Sequence, residues 1–349
     1  MNKLFYLLAI IGLLVACSYE GQEIPGETLP VVDGSIVKTT EIVSLSDYQI
    51  HEPSGLLKSG QQMIVGDRMN YDHVYRINLN DGSREGMLPR VRTREGGVTM
   101  FQSLASDGRG GWTVLDCRNG KLDCTSSVLT REGSGSSVQL PKEVRHLWAT
   151  RAGNYIVATG IYPEGRYLLY SLEDGQSHYS VTYPDHPWYP ALQERTKAFL
   201  YASNVLRARP DGEAFVCADM YSGIMDICRI NDGEVSLIRR LIYHYPRVQI
   251  AGKGDWPQVV YSKDNRFGFT DVCVTEKSIY ALYSGLTYRM EKENFQYCRT
   301  LIEVGWDGIV KSTRSIDVAL TQLTYDAQEK TLYGIAWNPD ATLVRLTSN

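Results

Sequence analysis

The chain has 349 residues, 43% hydrophobic and 22% charged, so it can bury a large core, either as two ordinary domains or as one closed all-β ring. Its formal net charge is −4 and no Lys/Arg cluster interrupts that balance, which argues against nucleic acid as a partner.

The N-terminus reads as an export signal. Lys3 supplies a short basic start, and residues 4–15 are apolar throughout. That run is too short to span a bilayer and suits the h-region of a signal peptide. It ends in Leu14-Val15-Ala16-Cys17, which resembles the lipobox of bacterial lipoproteins. The resemblance implies a signal peptide over residues 1–16, removed by cleavage, and a membrane partner reached through lipidated Cys17. Residues 18–33 follow with four acids, two Pro, two Gly and no Lys or Arg. Such a stretch buries little apolar surface, so residues 17–33 are expected to form a flexible tether.

From residue 34 onward one pattern repeats. An apolar strand, a polar turn and a second apolar strand recur in "GLLKSGQQMIVGD", "SLASDGRGGWTVLD", "HLWATRAGNYIVATG", "VLRARPDGEAFVCAD", "DVCVTEKSIYALYS" and "QLTYDAQEKTLYGIAW". The second strands start near Met63, Trp112, Tyr155, Ala214, Ile279 and Leu332, at intervals of 43 to 65 residues. Most copies are followed by a second hairpin with an Asp-Gly or similar turn, as in "VYRINLNDGSREG" and "MDICRINDGEVSLI". Each unit is then four antiparallel strands, and that period is the mark of a β-propeller blade. Six units predict an all-β, six-bladed β-propeller over residues 34–349. The last unit lacks an outer strand. The run "SIVKTTEIVSL" at residues 35–45 is otherwise unassigned, so this N-terminal strand is expected to pair onto the last blade and close the ring.

A lipobox, an acidic tether and six divergent four-strand repeats together resemble the TolB-like six-bladed propeller lipoproteins of Gram-negative bacteria. The resemblance implies a protein anchored to the outer membrane, on its periplasmic or outer surface. It transfers no catalytic residues.

In a propeller the ends of the second strands and the links between blades share one face. Asp67, Asp116 and Asp219 stand at such ends, and two long insertions leave the same face: "PDHPWYPALQERTKAF" and "PRVQIAGKGDWPQVVYSKDNR". The candidate ligand-binding residues are Asp67, Tyr71, Asp116, Arg118, Trp188, Tyr189, Asp219, Tyr221 and Trp256, with Trp188 and Trp256 nearest the ligand. Flat rings beside polar groups suit a glycan or a peptide or protein ligand. The rings could equally fold down to cap the rim, and each Asp could serve only its own turn. Three carboxylates around one mouth would also suit a hydrolase or lyase, metal-dependent or not, and a structural subunit of an envelope complex is a further reading.

The sequence has no G-x-S-x-G, Walker A, H-E-x-x-H or EF-hand pattern, so no catalytic residue, metal ligand or cofactor is assigned. "ASDGRGGW" falls short of the Asp-box of sialidase propellers, since Ala105 and Arg109 replace the expected Ser and Gly. A two-residue turn at Asn119-Gly120 would set Cys117 opposite Leu122 and Cys124 opposite Leu115, forbidding a disulfide between the two Cys. A turn centred on Ser222-Gly223 would place Cys217 opposite Cys228, where a disulfide could form. The bland reading makes all of them small buried strand residues.

Overall fold

A computed structural model of the chain describes residues 26–67, 73–86, 101–107, 111–125, 136–251, 257–337 and 339–347. The signal segment, Cys17, Tyr71 and Trp256 lie outside them.

The chain opens with β1 (Ile36–Ser44) and a 3-10 turn, Leu45–Tyr48. Four antiparallel sheets follow, each a four-stranded meander in chain order. The first holds β2 (Pro53–Ser59), β3 (Gln62–Asp67), β4 (His73–Asn78) and β5 (Arg84–Gly86). The second holds β6 (Phe101–Ser106), β7 (Trp112–Asp116), β8 (Lys121–Thr125) and β9 (Ser136–Gln139). The third holds β10 (His146–Ala152), β11 (Tyr155–Gly160), β12 (Tyr167–Ser171) and β13 (Ser177–Ser180). Helix α1 (Glu194–Leu200) leads into the fourth, β14 (Asn204–Ala208), β15 (Ala214–Asp219), β16 (Ile224–Asn231) and β17 (Glu234–Ile242). A ribbon of β18 (Val248–Ala251) and β19 (Gln258–Tyr261) comes next.

The remaining strands share one seven-stranded sheet. They are β20 (Phe269–Val274), β21 (Ile279–Tyr283), β22 (Cys298–Val304), β23 (Val310–Asp326), β24 (Thr331–Trp337) and β25 (Ala341–Thr347), with the short helix α2 (Tyr288–Glu291) after β21. The order is β1-β25-β24-β23-β22-β21-β20. Strand β23 is 17 residues long and serves twice. Its first half pairs with β22, Val310 opposite Val304 and Ser315 opposite Thr300. Its second half pairs with β24, Leu320 opposite Ala336 and Asp326 opposite Thr331. The sheet is therefore two meanders joined through one strand. β1 lies antiparallel to β25, from Lys38 opposite Thr347 to Ser44 opposite Thr342.

The second strand of a meander is buried on both faces. β7, β15 and most of β3 and β11 show no exposed position. This explains why "WTVLD" and "AFVCAD" read as continuous apolar runs rather than alternating ones: each faces a neighbouring sheet on either side. The apolar core is divided among these contacts. Ile64 meets Leu104 and Val114 between the first and second sheets, and Leu115 meets Ile156 between the second and third. Val157 meets Phe215 between the third and fourth, and Val216 meets Val272 beyond them. Leu282 meets Leu323 across β23, and Met63 meets Ile335 between the first sheet and the last. The first strands touch in the same order: β2 with β6, β6 with β10, β10 with β14, β14 with β20, β20 with β23, and β23 with β2.

Two expected registers are displaced. Leu115 pairs with Leu122 and Thr113 with Cys124, so Cys117 lies in the turn. The cause is Asp116, whose carboxylate accepts the backbone N–H groups of Arg118 and Asn119 and holds residues 117–120 as a four-residue turn. In the fourth sheet Cys217 pairs with Asp226 and Cys228 lies opposite Phe215, so the two thiols do not face each other, and both are free. Gly223 was expected to turn the chain. Instead its N–H donates to the His244 carbonyl and its own carbonyl accepts from Tyr243, which extends the strand and moves the turn toward Asp219.

Candidate functional site at the insertion end

The antiparallel registers put Asp67, Asp116 and Asp219 at the same end of their sheets as both insertions. The three carboxylates have separate duties. Asp67 accepts the backbone N–H of Glu52 at 3.1 Å. Asp116 caps its turn, adding Asn119 Nδ2 at 2.8 Å. Asp219 pairs with Arg166, which also lies 3.2 Å from Asp226, and it accepts the Ser222 hydroxyl at 3.1 Å. Among the described residues no three His, Cys, Asp or Glu side chains form a group able to hold a metal ion.

The Arg166 cluster is closed to solvent. Arg166 is 1% exposed, and Asp226 holds Arg240 by two further bonds and accepts the Tyr167 hydroxyl at 2.8 Å. Burial pushes the Asp219 carboxyl up to about 7 against the pull of Arg166. Asp226 is buried as deeply, yet Arg166 and Arg240 together outweigh that penalty and hold it below its usual range. The Asp219 oxygens are reached from inside the protein, so the cluster braces the fourth sheet.

The two insertions are separated by most of the fourth sheet and pack on one another. Each has structure that the sequence reading left unassigned, helix α1 in the first and the β18–β19 ribbon in the second. His186 Nε2 donates to the Pro246 carbonyl at 2.8 Å while its Nδ1 accepts the Trp188 N–H at 3.2 Å, which sets the neutral tautomer. The Tyr189 hydroxyl donates to the Val248 carbonyl and the Tyr261 hydroxyl to the Leu200 carbonyl. Leu200, Tyr201 and Ala198 share an apolar cluster with Val248 and Tyr261.

Rings gather on this packed pair. The His186 ring lies 5.1 Å from Tyr189, 5.8 Å from Tyr245 and 6.1 Å from Trp188, and the Arg247 guanidinium lies over Trp188 at 5.8 Å. A second row runs outward from Tyr221. It stacks on Tyr261 at 4.3 Å and meets the edge of Phe267 at 4.9 Å; Phe267 meets Phe295 at 4.3 Å, and Phe295 meets Tyr288 at 5.8 Å. Tyr288 is 44% exposed, and Trp188, Tyr189 and Tyr221 are half-buried. Tyr183 instead folds under the rim, 4% exposed and stacked on Tyr201. Arg118 is exposed, on the turn of the second sheet.

The structure thus brings Trp188, Tyr189, Asp219 and Tyr221 into one neighbourhood and leaves Asp67, Asp116 and Arg118 on the first and second sheets. Tyr261, Phe267, Phe295, Tyr288 and Arg247 were missed. A signal for two of them was present as "VVYS" and "RFGF", in and just after the second insertion, but only packing makes a row of them. A cavity of about 590 Å³ sits at the opposite end, between the third and fourth sheets, lined by Glu173, Asp174, Asp232 and Glu234 with Tyr155 and His178.

No protein-family model and no curated protein matches the sequence. Among solved structures, the β-propeller domain of Cps50 (Swd1) from Myceliophteria thermophila is similar at a TM-score of 0.45 and 10% identity, over 89% of this chain and 99% of that one. A candidate exported protein of Bacteroides fragilis NCTC 9343 is similar at a TM-score of 0.52 and 8% identity, over 93% of this chain and 98% of that one. The likeness to the Bacteroides fragilis protein concerns the fold alone. Four-stranded antiparallel meanders in successive contact are the construction of a β-propeller. Among the described residues no helix is long and apolar enough to cross a membrane.

Proposed function

We propose that this chain is an exported, lipid-anchored six-bladed β-propeller of the TolB-like kind that binds a glycan or a peptide or protein ligand through its insertion end. The observation that carries the binding role is the packing of two distant insertions into one ring-rich surface, with Trp188, Tyr189 and Tyr221 half-buried and Tyr288 exposed. Six successive apolar contacts, and β1 paired on β25, support the ring and its closure. The apolar run ending at Cys17 supports export and anchoring at the outer membrane, and the likeness to the candidate exported protein of Bacteroides fragilis is in keeping with export.

Glycan and peptide arrays probed with the protein and with Trp188→Ala test the binding role. The expected result is a ligand whose affinity falls at least tenfold in the variant, the usual scale for losing one interface anchor. Ligands that bind Trp188→Ala, Tyr221→Ala and Tyr288→Ala as well as the parent would overturn it. Cys17→Ser should move the folded protein from the membrane fraction to the supernatant.

A further inference from the structure

Residues 26–33 belong to the segment expected to hang free, yet their beginning is docked. The Glu27 carboxylate accepts the Tyr245 N–H at 2.8 Å and lies 3.8 Å from the Arg247 guanidinium. The Thr28 N–H donates to the Tyr243 carbonyl at 2.9 Å. A short stretch of peptide therefore lies along residues 243–247, at the root of the second insertion. Its grip is light. Leu29 and Val31 are 45% and 84% exposed, and the next backbone bond joins Asp33 to the Thr313 carbonyl.

Polar capacity lies unused behind it. His244 is 2% exposed and neither ring nitrogen makes a well-formed hydrogen bond, only the Tyr245 backbone acting on the ring; the Tyr283 hydroxyl, in a residue 4% exposed, has no hydrogen-bond partner. The two rings are 6.0 Å apart. The charges of Arg247 and Arg266 both act on His244, and those of Arg266 and Glu27 both act on Tyr283. Buried polar atoms are costly to leave unpaired, so their concentration behind one docked carboxylate calls for an explanation.

We propose that residues 243–247, with Arg247 and Arg266, form a cradle for an extended acidic peptide segment of a partner protein, and that Gly26, Glu27 and Thr28 fill it as a built-in stand-in. The proposal rests on the insertion end being a binding surface and names the ligand class there. The Arg247 guanidinium beside the docked carboxylate, with the Arg266 charge acting on the buried pair behind it, selects a carboxylate over a cationic group. The stand-in uses a backbone N–H against the Tyr243 carbonyl, which favours a peptide over an acidic sugar. A carboxylate offers about four acceptor positions, so a segment seated deeper than Glu27 can also accept hydrogen bonds from the Tyr283 hydroxyl and from the N–H of the neutral His244 imidazole. Because the stand-in competes, the affinity measured for a partner is the intrinsic one reduced by the fraction of molecules with an open cradle.

The full-length protein and its Glu27→Gln variant, both shown by melting to be folded, are titrated calorimetrically with the peptide Gly-Glu-Thr-Leu-Pro and its Gly-Gln-Thr-Leu-Pro analogue. The expected result is at least tenfold tighter binding of the acidic peptide by Glu27→Gln than by the parent. The Gln analogue should bind at least tenfold more weakly, and adding Arg247→Gln to Glu27→Gln should remove binding. Equal affinity in parent and variant, or no binding by the variant, overturns the cradle. Tighter binding of a uronic-acid oligosaccharide than of the peptide overturns the peptide class. A ligand lost in Trp188→Ala but indifferent to Glu27 and Arg247 leaves the binding surface standing and removes only the cradle.

Discussion

Two buried polar clusters, one at each end of the sheets, use their hydrogen-bonding capacity in opposite ways. At the short-turn end, Lys58 on β2 reaches into the last sheet and uses all three of its donors, on Asp326 at 3.0 Å, Glu329 at 3.0 Å and the Gly60 carbonyl at 2.6 Å. Asp326, fully buried, also accepts the N–H groups of Gly60, Gln328 and Glu329. At the insertion end, His244, Tyr283 and Tyr201 are as deeply buried, yet the His244 nitrogens make no well-formed hydrogen bond and both hydroxyls have no hydrogen-bond partner. Saturated polar groups hold a seam; unsaturated ones leave interactions to be made with something else.

The largest effect is expected from the outer strand of the last meander, whose other edge this seam joins to the first sheet. Deleting residues 35–45 takes β1 from β25 and strips away buried Val37 and Leu45. The melting temperature should fall by about 10 °C or more as the last sheet loses its outer strand. An unchanged melting curve would show that the first and last sheets hold without β1.

Lys58→Met sharpens the comparison at one side chain. It leaves Asp326 buried and without its cation, and should cost about 3 kcal/mol in denaturant unfolding. A cost below about 1 kcal/mol would mean that the seam is apolar in origin and that the ion pair is incidental.

At the other end the effect depends on pH. Burial holds the His244 imidazole down to about 3 from 6.5 against the Tyr245 backbone, with Arg266 and Arg247 adding to the shift. The unfolded chain takes up this proton below pH 6.5 and the folded one does not. This group's share of stability is therefore complete above that pH and is lost as pH falls, by about 1.4 kcal/mol per unit. At pH 5 the parent should have lost about 2 kcal/mol that His244→Gln keeps, read as a shallower acid slope of the unfolding midpoint. Parallel slopes would show that His244 is protonated in the folded state.

The smallest expected effect is the most telling. Tyr283→Phe removes a hydroxyl that has no partner, so stability should change by no more than about 0.5 kcal/mol, and in either direction. A loss above about 1.5 kcal/mol would mean that the hydroxyl is satisfied and that the two clusters do not differ.

The repeat was legible because a strand and its turn are written locally. Second strands expected near Met63, Trp112, Tyr155, Ala214, Ile279 and Leu332 begin at Gln62, Trp112, Tyr155, Ala214, Ile279 and Thr331. The strand expected at residues 35–45 spans Ile36–Ser44. Apolar runs bounded by Gly, Asp and Asn carry that information within a dozen residues. Register was less legible. A carboxylate cap on Asp116 and a backbone bond from Gly223 to His244 each moved a turn and displaced the cysteine partners by two positions, and neither contact is visible in strand periodicity.

The candidate site was legible in type and not in membership. Long insertions with Trp, Tyr and Pro announced a surface by composition. That His186 binds Pro246, that Tyr221 stacks on Tyr261, and that Glu27 lies against Arg247 depend on where segments far apart in the chain come to rest. The same holds for Asp219. The sequence shows a strand ending in an acid. Only the tertiary structure decides that this acid faces inward to Arg166 and Asp226, because a charge that leaves water must find its partner wherever the packed sheets bring one.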